Sequence, residues 1–536
     1  MSDEFDHSPH AFLRSEHGWK RRHSESALLF PISPKSMSSC GTGLLRSPMR
    51  SPTSKQHLIH RRESAAATGV WYRDHGLWPA PKLLREGGFD DTMNYDRDRD
   101  MTWSELFFDL IFVVAIARLG DQLRESSMSL TEYTVYFMQF WNIWTEAADY
   151  SNRFGTNDPP NMLFFSAVMG CVCFMTLNLK GGPDPDAPNA TSFSAAAASA
   201  QLCFMAVYAR VATYCRSPRA ISQAKFRMLA IAIPTLLLCL AAWLPDISDN
   251  LLWQIQVAAA LFPSVWMSIY LGFEPFVWRF FRCDTWIGGL APLHLEHYNE
   301  RMGLLVIVFF GEMVDDITQS VEPTWSLYRT VFFCFLIVVC LKSFYFEVDA
   351  VDADDHAIRR SRISYLTWRT AHMFLCGGVA LLASGLNAMC AHNVTEEEMS
   401  EDRQWYVCCG LSVILASITI IVLSHKRPWH DCKKLSPSEV WVRRIFWLQI
   451  AMQIIMSICI STFPVWGLFD EYLLGGLALL LVLLVAINLV DEIIEVSAEE
   501  EQEEDDMSQS LCQAHFRDQF QAHCEAQRQA PSGQYL

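Results

Sequence analysis

The chain has 536 residues, of which 51% are hydrophobic and only 19% charged, with a net charge of −17 and a mean hydropathy of +0.13. A soluble protein carries about a quarter charged residues, so this composition excludes an ordinary water-soluble globule. The charge is segregated: residues 10–65 are basic and rich in Ser and Pro, while 491–506 (DEIIEVSAEEEQEEDD) are acidic.

Residues 1–100 are too polar and too rich in Ser, Pro and Arg to form a core, which predicts a disordered cytosolic arm. Ser8, Ser33, Ser47 and Ser51 each precede a proline and are candidate sites for proline-directed phosphorylation. The arm lacks aromatic interleaving and any recognition motif, so no nucleic-acid partner is expected.

Between Trp103 and Leu489, long apolar runs alternate with short polar breaks. Runs of about 20 apolar residues match a bilayer's hydrocarbon thickness. The pattern predicts an all-α, polytopic transmembrane bundle of about twelve spans. They lie near 103–120, 133–149, 161–179, 193–214, 226–244, 251–271, 297–317, 326–346, 366–389, 406–424, 441–463 and 471–490. Segment 273–293, aromatic and Arg-bearing, reads as an interfacial helix. Charged opening helices at 103 and near 297 suggest two parallel six-helix repeats, 101–292 and 293–490, followed by an acidic cytosolic tail, 491–536.

The first span, WSELFFDLIFVVAI, carries Glu105 and Asp109 four residues apart on one helical face. Asp109 lies about 9 Å along the axis from Trp103, too deep for its short side chain to reach water. It must face other helices or a wet cavity. Glu146, Glu300, Arg301 and Arg369 fall near the same ends of their helices, and His372 about two turns into its own. Glu312 lies beyond the midplane, about 16 Å along from Arg301. Ionisable groups inside spans mark ion or substrate routes, or else fix helix ends by ion pairs. Asp109, Glu312 and His372 are the ion-pathway candidates. Glu105, Glu146, Glu300, Arg301 and Arg369 form a supporting charge cluster.

Lys and Arg in the loops place both termini in the cytosol. Arg153, Arg216, Arg219, Lys225 and Arg227 are among the residues counted on that side. Two N-glycosylation triplets, at Asn189 and Asn393, fall in loops this scheme places outside. Cys390 with Cys408 or Cys409 makes a disulfide across one outer loop plausible, with free thiols the equal alternative. The other cysteines form no CxxC pair and no zinc spacing, and no metal or cofactor is expected. Phe137, Phe140, Trp141 and Trp144 are best read as bundle packing. No HExxH or GxSxG motif points to an enzyme.

SELFFDLIFVVAI closely resembles the signature opening helix of the LtrA family, named for a low-temperature growth requirement in bacteria. The likeness continues in Trp141, Trp144 and SNRF (151–154), in HLEHYNERMGLLVIVFFGE (294–312), in FYF (344–346) and in AHMFLCGGVALLASGL (371–386). It covers roughly 95–490. The resemblance implies a multi-pass membrane protein and directs attention to Glu105, Asp109, Arg153, Glu300, Arg301, Glu312 and His372. The expected function is a secondary transporter or ion pathway; the alternative is a non-transporting scaffold, sensor or stress-tolerance factor. The partners implied are the lipid bilayer and a small ion or solute, with a homo-oligomer left open.

Overall fold

A computed structural model describes residues 101–489, apart from the connecting segments 126–127, 155–157, 180–189, 216, 245–247, 282–290, 292, 320–323, 349–354, 396–400, 426–436, 467–472 and 488. The four serines of the arm, the acidic tail and Asn189 lie outside the described residues.

The described residues are helical almost throughout. In chain order the helices are α1 (Trp103–Arg124), α2 (Leu130–Arg153), α3 (Pro159–Leu177), α4 (Ala190–Tyr214), α5 (Pro218–Trp243), α6 (Asp249–Phe281) and α7 (Leu295–Thr318). There follow α8 (Trp325–Val348), the single turn α9 (Ala357–Arg360), α10 (Arg362–Thr395), α11 (Glu401–Ser424), α12 (Pro437–Thr462) and α13 (Leu473–Ile487). Each apolar run read from the sequence carries one helix, the last of them short. Eight of them, α3–α6, α8 and α10–α12, contain stretches long and apolar enough to cross a membrane. Helices α1, α2 and α7 carry the charged residues of the site described below, and α13 is short.

Local signals set the helix starts. Thr102 and Glu105 form a capping box on α1, and Ser129 and Glu132 form another on α2. Asp158 accepts the Asn161 N–H at 2.8 Å ahead of the Pro159–Pro160 start of α3. Two boundaries differ from the sequence reading. Helix α5 begins at Pro218, eight residues before the apolar run, and α2 continues to Arg153. Arg227 and Arg153, counted above as loop charges, are therefore buried helix residues. The segment 273–293 is, up to Phe281, a continuation of α6 rather than a separate helix.

The outside of the bundle is apolar and the inside holds the charges. On α1, Phe107, Leu110 and Val114 are exposed while Glu105, Phe108, Asp109 and Phe112 are buried. Exposed Ile233, Leu236, Phe332, Phe335, Ile455 and Ile458 continue that apolar surface on other helices. In water such a surface would be costly; against lipid tails it is at rest. The molecule is a polytopic helical membrane protein.

Helix α10 is the axis of the packing. It touches α1, α2, α6, α7, α8 and α11, and 89% of its apolar stretch is buried against 39% for α3. Its seam with α11 is built on glycines: a Cβ on Gly410 would lie 2.8 Å from the Leu382 backbone nitrogen, and one on Gly385 2.9 Å from that of Val407. Small residues at such a crossing let the backbones approach, the usual device for helix association in lipid.

Candidate functional site

The carboxylates of α1 face inward onto α2 and α7. Arg301 of α7 binds Asp109 through Nη2 at 2.9 Å and Nε at 3.3 Å. The Trp144 indole donates to the same carboxylate at 2.7 Å, and the Arg301 guanidinium lies 5.5 Å from the Trp144 ring centre. Arg301 Nη1 also donates to Ser151 Oγ at 2.6 Å. Both members of the pair are 3% exposed or less. Glu105, besides capping α1, lies 3.7 Å from Arg301 Nη1 and 3.6 Å from His297 Nε2.

The same end of α2 anchors a second network. Asp149, fully buried, receives Arg153 Nη1 at 3.0 Å, Arg369 Nη1 of α10 at 3.2 Å and Arg227 Nη2 of α5 in a close ion pair. Arg227 also pairs with Glu146 at 3.2 Å. Asn152 holds the segment before α7 by exchanging hydrogen bonds with the His294 backbone, at 2.7 and 2.9 Å. Arg153 Nε donates to the Ala291 carbonyl at 3.2 Å. The SNRF turn thus locks α7 in the position that brings Arg301 onto Asp109.

Together the two networks hold four arginines (153, 227, 301, 369) and four carboxylates (105, 109, 146, 149). Their charges sum to zero but are unevenly placed. The α1–α7 side carries two carboxylates for one arginine; the α2–α5–α10 side carries three arginines for two carboxylates. A buried arrangement of this kind holds only if every charge keeps its partner.

The far end of α1 and α7 is built differently. Glu312 and Asp316, one helical turn apart on α7, line a small crevice with Val113, Ile116 and Gly120 of α1 and Ala380 and Ala383 of α10. Asp121 of α1 acts electrostatically on both acids, and Asn387 donates to the Asp316 carbonyl at 2.6 Å. Pairing of Asp109 with Arg301 at one end and proximity of Asp121 to Glu312 at the other make α1 and α7 parallel. Between the two ends the seam is apolar: Phe112 meets Phe309 at 6.2 Å between ring centres, with Val113, Leu305 and Val306 buried beside them.

His372 stands apart from both carboxylate groups. Its Nδ1 donates to the Trp368 carbonyl at 2.8 Å, its Nε2 accepts the Tyr345 hydroxyl at 3.1 Å, and its ring lies 4.2 Å from that of Trp368. These bonds suit the neutral imidazole. Glu300 is exposed and joins neither network. Cys390, Cys408 and Cys409 are free thiols, so the disulfide is not formed; Cys390 shares a hydrogen bond with Cys334 of α8 instead. Asn393 falls in the last turn of α10 rather than in a loop, its side chain outside the described residues. No group of three or more His, Cys, Asp or Glu side chains suited to a metal occurs among the described residues.

Sequence reasoning brought Glu105, Asp109, Glu146, Arg301 and Arg369 to this region but missed Asp149, on which three arginines converge, and Asp316. The profile of the family described as bacterial low temperature requirement A protein (LtrA) matches residues 100–487. The match contains every residue of both networks and of the far cleft. No curated protein and no solved structure gives a significant match.

Proposed function

The chain belongs to the LtrA family, and from that premise we propose that it is a secondary transporter or ion pathway whose route follows the α1–α7 seam. The observation that carries this reading is the placement of ionisable groups at both ends of one parallel helix pair with an apolar seam: Asp109 with Arg301 at one end, Glu312 with Asp316 at the other. Asp109 and Arg301 are buried deep in the bundle and Glu312 and Asp316 are half-buried, and ionisable groups within spans concentrate where ions or protons pass. The remaining loop Lys and Arg residues support a cytosolic Asp109 end. Helix α10 closes the seam along its length, so a shift of α10 against α1 would open one end while the other stays packed.

In this reading Arg301 is the internal counter-ion that holds Asp109 charged when no cation is present. A proton or small cation arriving at Asp109 competes with Arg301 and releases it. Glu312 and Asp316, which have no arginine bound to them among the described contacts, form the exchange site at the other face. The parallel, touching α1 and α7 also open the two halves of the chain, which supports a parallel repeat and a count of twelve spans.

A second reading, a scaffold or sensor, draws on the completeness of the ion pairs around Asp149 and on the fully bonded His372. Flux separates the two. Full-length protein in proteoliposomes is given H⁺, Na⁺, K⁺ and small-anion gradients, and Glu312→Gln is compared with wild type. The expected result is a wild-type flux of at least one of these ions that Glu312→Gln abolishes while folding is kept. Tight, silent vesicles with well-folded protein would move the assignment to the scaffold or sensor.

A further inference from the structure

Beside the ion networks, on the side of α2 away from α1, the bundle holds a cleft of about 780 Å³, its open mouth included. The enclosed space inside it is about 60 Å³, which restricts an occupant to a very small molecule. It lies among α2, α4, α5, α6 and α10, and its charged wall is made of Glu146, Arg227 and Arg369, so one positive charge is in excess. Two buried polar atoms of these residues make no close hydrogen bond among the described residues: Glu146 Oε1, an acceptor in a carboxylate that the Tyr208 hydroxyl also approaches, and Arg227 Nε, a donor. Leaving such atoms unmet costs about 1–3 kcal/mol each.

A third feature is independent of the charges. Pro234 of α5 and Pro263 of α6 both line the cleft. Each lacks an N–H, so the carbonyls four residues earlier, Ala230 and Ala259, lose their intrahelical donors. Ala230 itself borders the cleft. Inside a membrane, backbone groups freed in this way are tolerated where they face protein or a polar cavity. The lining also includes apolar Trp141, Phe204 and Met373, and Thr370 is one of its exposed residues.

We propose that this cleft binds a small organic acid that carries a hydrogen-bond donor on the carbon next to its carboxylate, a hydroxy or amino acid. The carboxylate meets Arg227 and Arg369, offsetting the excess positive charge. The donor meets Glu146 Oε1 and the free Ala230 carbonyl, and the short side chain packs toward Trp141. An acid without the donor leaves both acceptors unmet. Because Arg227 and Arg369 also hold Asp149, occupancy is coupled to the arginine network. Such binding would serve a transporter and a sensor alike, so it is independent of whether ions cross the α1–α7 seam.

The test is equilibrium binding to the full chain in lipid nanodiscs, using lactate, glycine, acetate and chloride, with circular dichroism to confirm folding. Saturable binding of lactate, glycine or both is expected, with acetate about ten-fold weaker or more and chloride without effect. Lactate alone assigns a hydroxy acid and glycine alone an amino acid. Thr370→Trp, which crowds the cleft without touching a charge, is expected to abolish binding in folded protein. Glu146→Leu is expected to shrink the preference for lactate over acetate, with the Ala230 carbonyl left to supply the remainder. Absence of binding for all four probes, equal binding of lactate and acetate in wild type, or full binding in Thr370→Trp would each overturn the assignment.

Discussion

At the scale of single residues, the burial of Asp109 was legible because α1 exposes Phe107, Leu110 and Val114 and leaves the carboxylates on its other face. Its partner was legible only as one arginine among several near helix ends. Asp149 was not, since TEAADYSNRF looks like a polar helix terminus until α2 is seen to run on to Arg153. Its depth makes a strong prediction. Asp149→Asn leaves three arginines short of a counter-charge and should cost about 3–5 kcal/mol of stability. Glu300→Gln, at an exposed position, should stay within about 0.5 kcal/mol. Thermal midpoints of the two variants in detergent check both values. His356, outside the spans, gives a pH prediction. Burial, aided by Arg359, pushes its pKa down to about 4, and its Nδ1 accepts the Ile358 N–H while Nε2 bonds Asn299. Between about pH 6.5 and 4 the unfolded chain binds the proton and the folded one does not. The contribution of His356 is therefore complete above pH 6.5 and lost as the pH falls toward 4. Melting curves across this range should show a slope that His356→Asn, which keeps a capping acceptor, reduces.

Among the elements, helix positions were readable from apolar length, and their ends were less so. Pro218 at the first turn of α5 was the available signal that Arg227 lies inside a helix. Its neighbours Lys225 and Arg219 made the segment look like a charged loop instead. What no single run of sequence encodes is which helix becomes the axis. Helix α10 earns that place through its contacts, and the glycines of its seam with α11 are the accessible test. Gly410→Ala drives a methyl group into the Leu382 backbone and should destabilise the protein by about 1–3 kcal/mol. Gly311→Ala, with open space around it, should be neutral or slightly stabilising. Comparison of their unfolding midpoints decides whether the α10–α11 contact is as close as described.

For the whole molecule, the family motifs SELFFDL, W-rich–SNRF and ERxGL are distant in sequence and meet in one place, as Asp109, Trp144, Ser151 and Arg301. That convergence explains why they stand out in the sequence, but not by itself whether the pair conducts or merely holds. A charge exchange separates the two roles. The double variant Asp109→Arg with Arg301→Asp preserves an ion pair between α1 and α7 but moves the acid to the other helix, away from Trp144. The decisive measurement is proteoliposome flux of this double variant beside wild type, with its thermal midpoint as the control. If Asp109 lies on the ion route, stability returns toward wild type relative to Asp109→Arg alone while flux remains lost. Recovery of both stability and flux would contradict the account and make the pair a structural clasp.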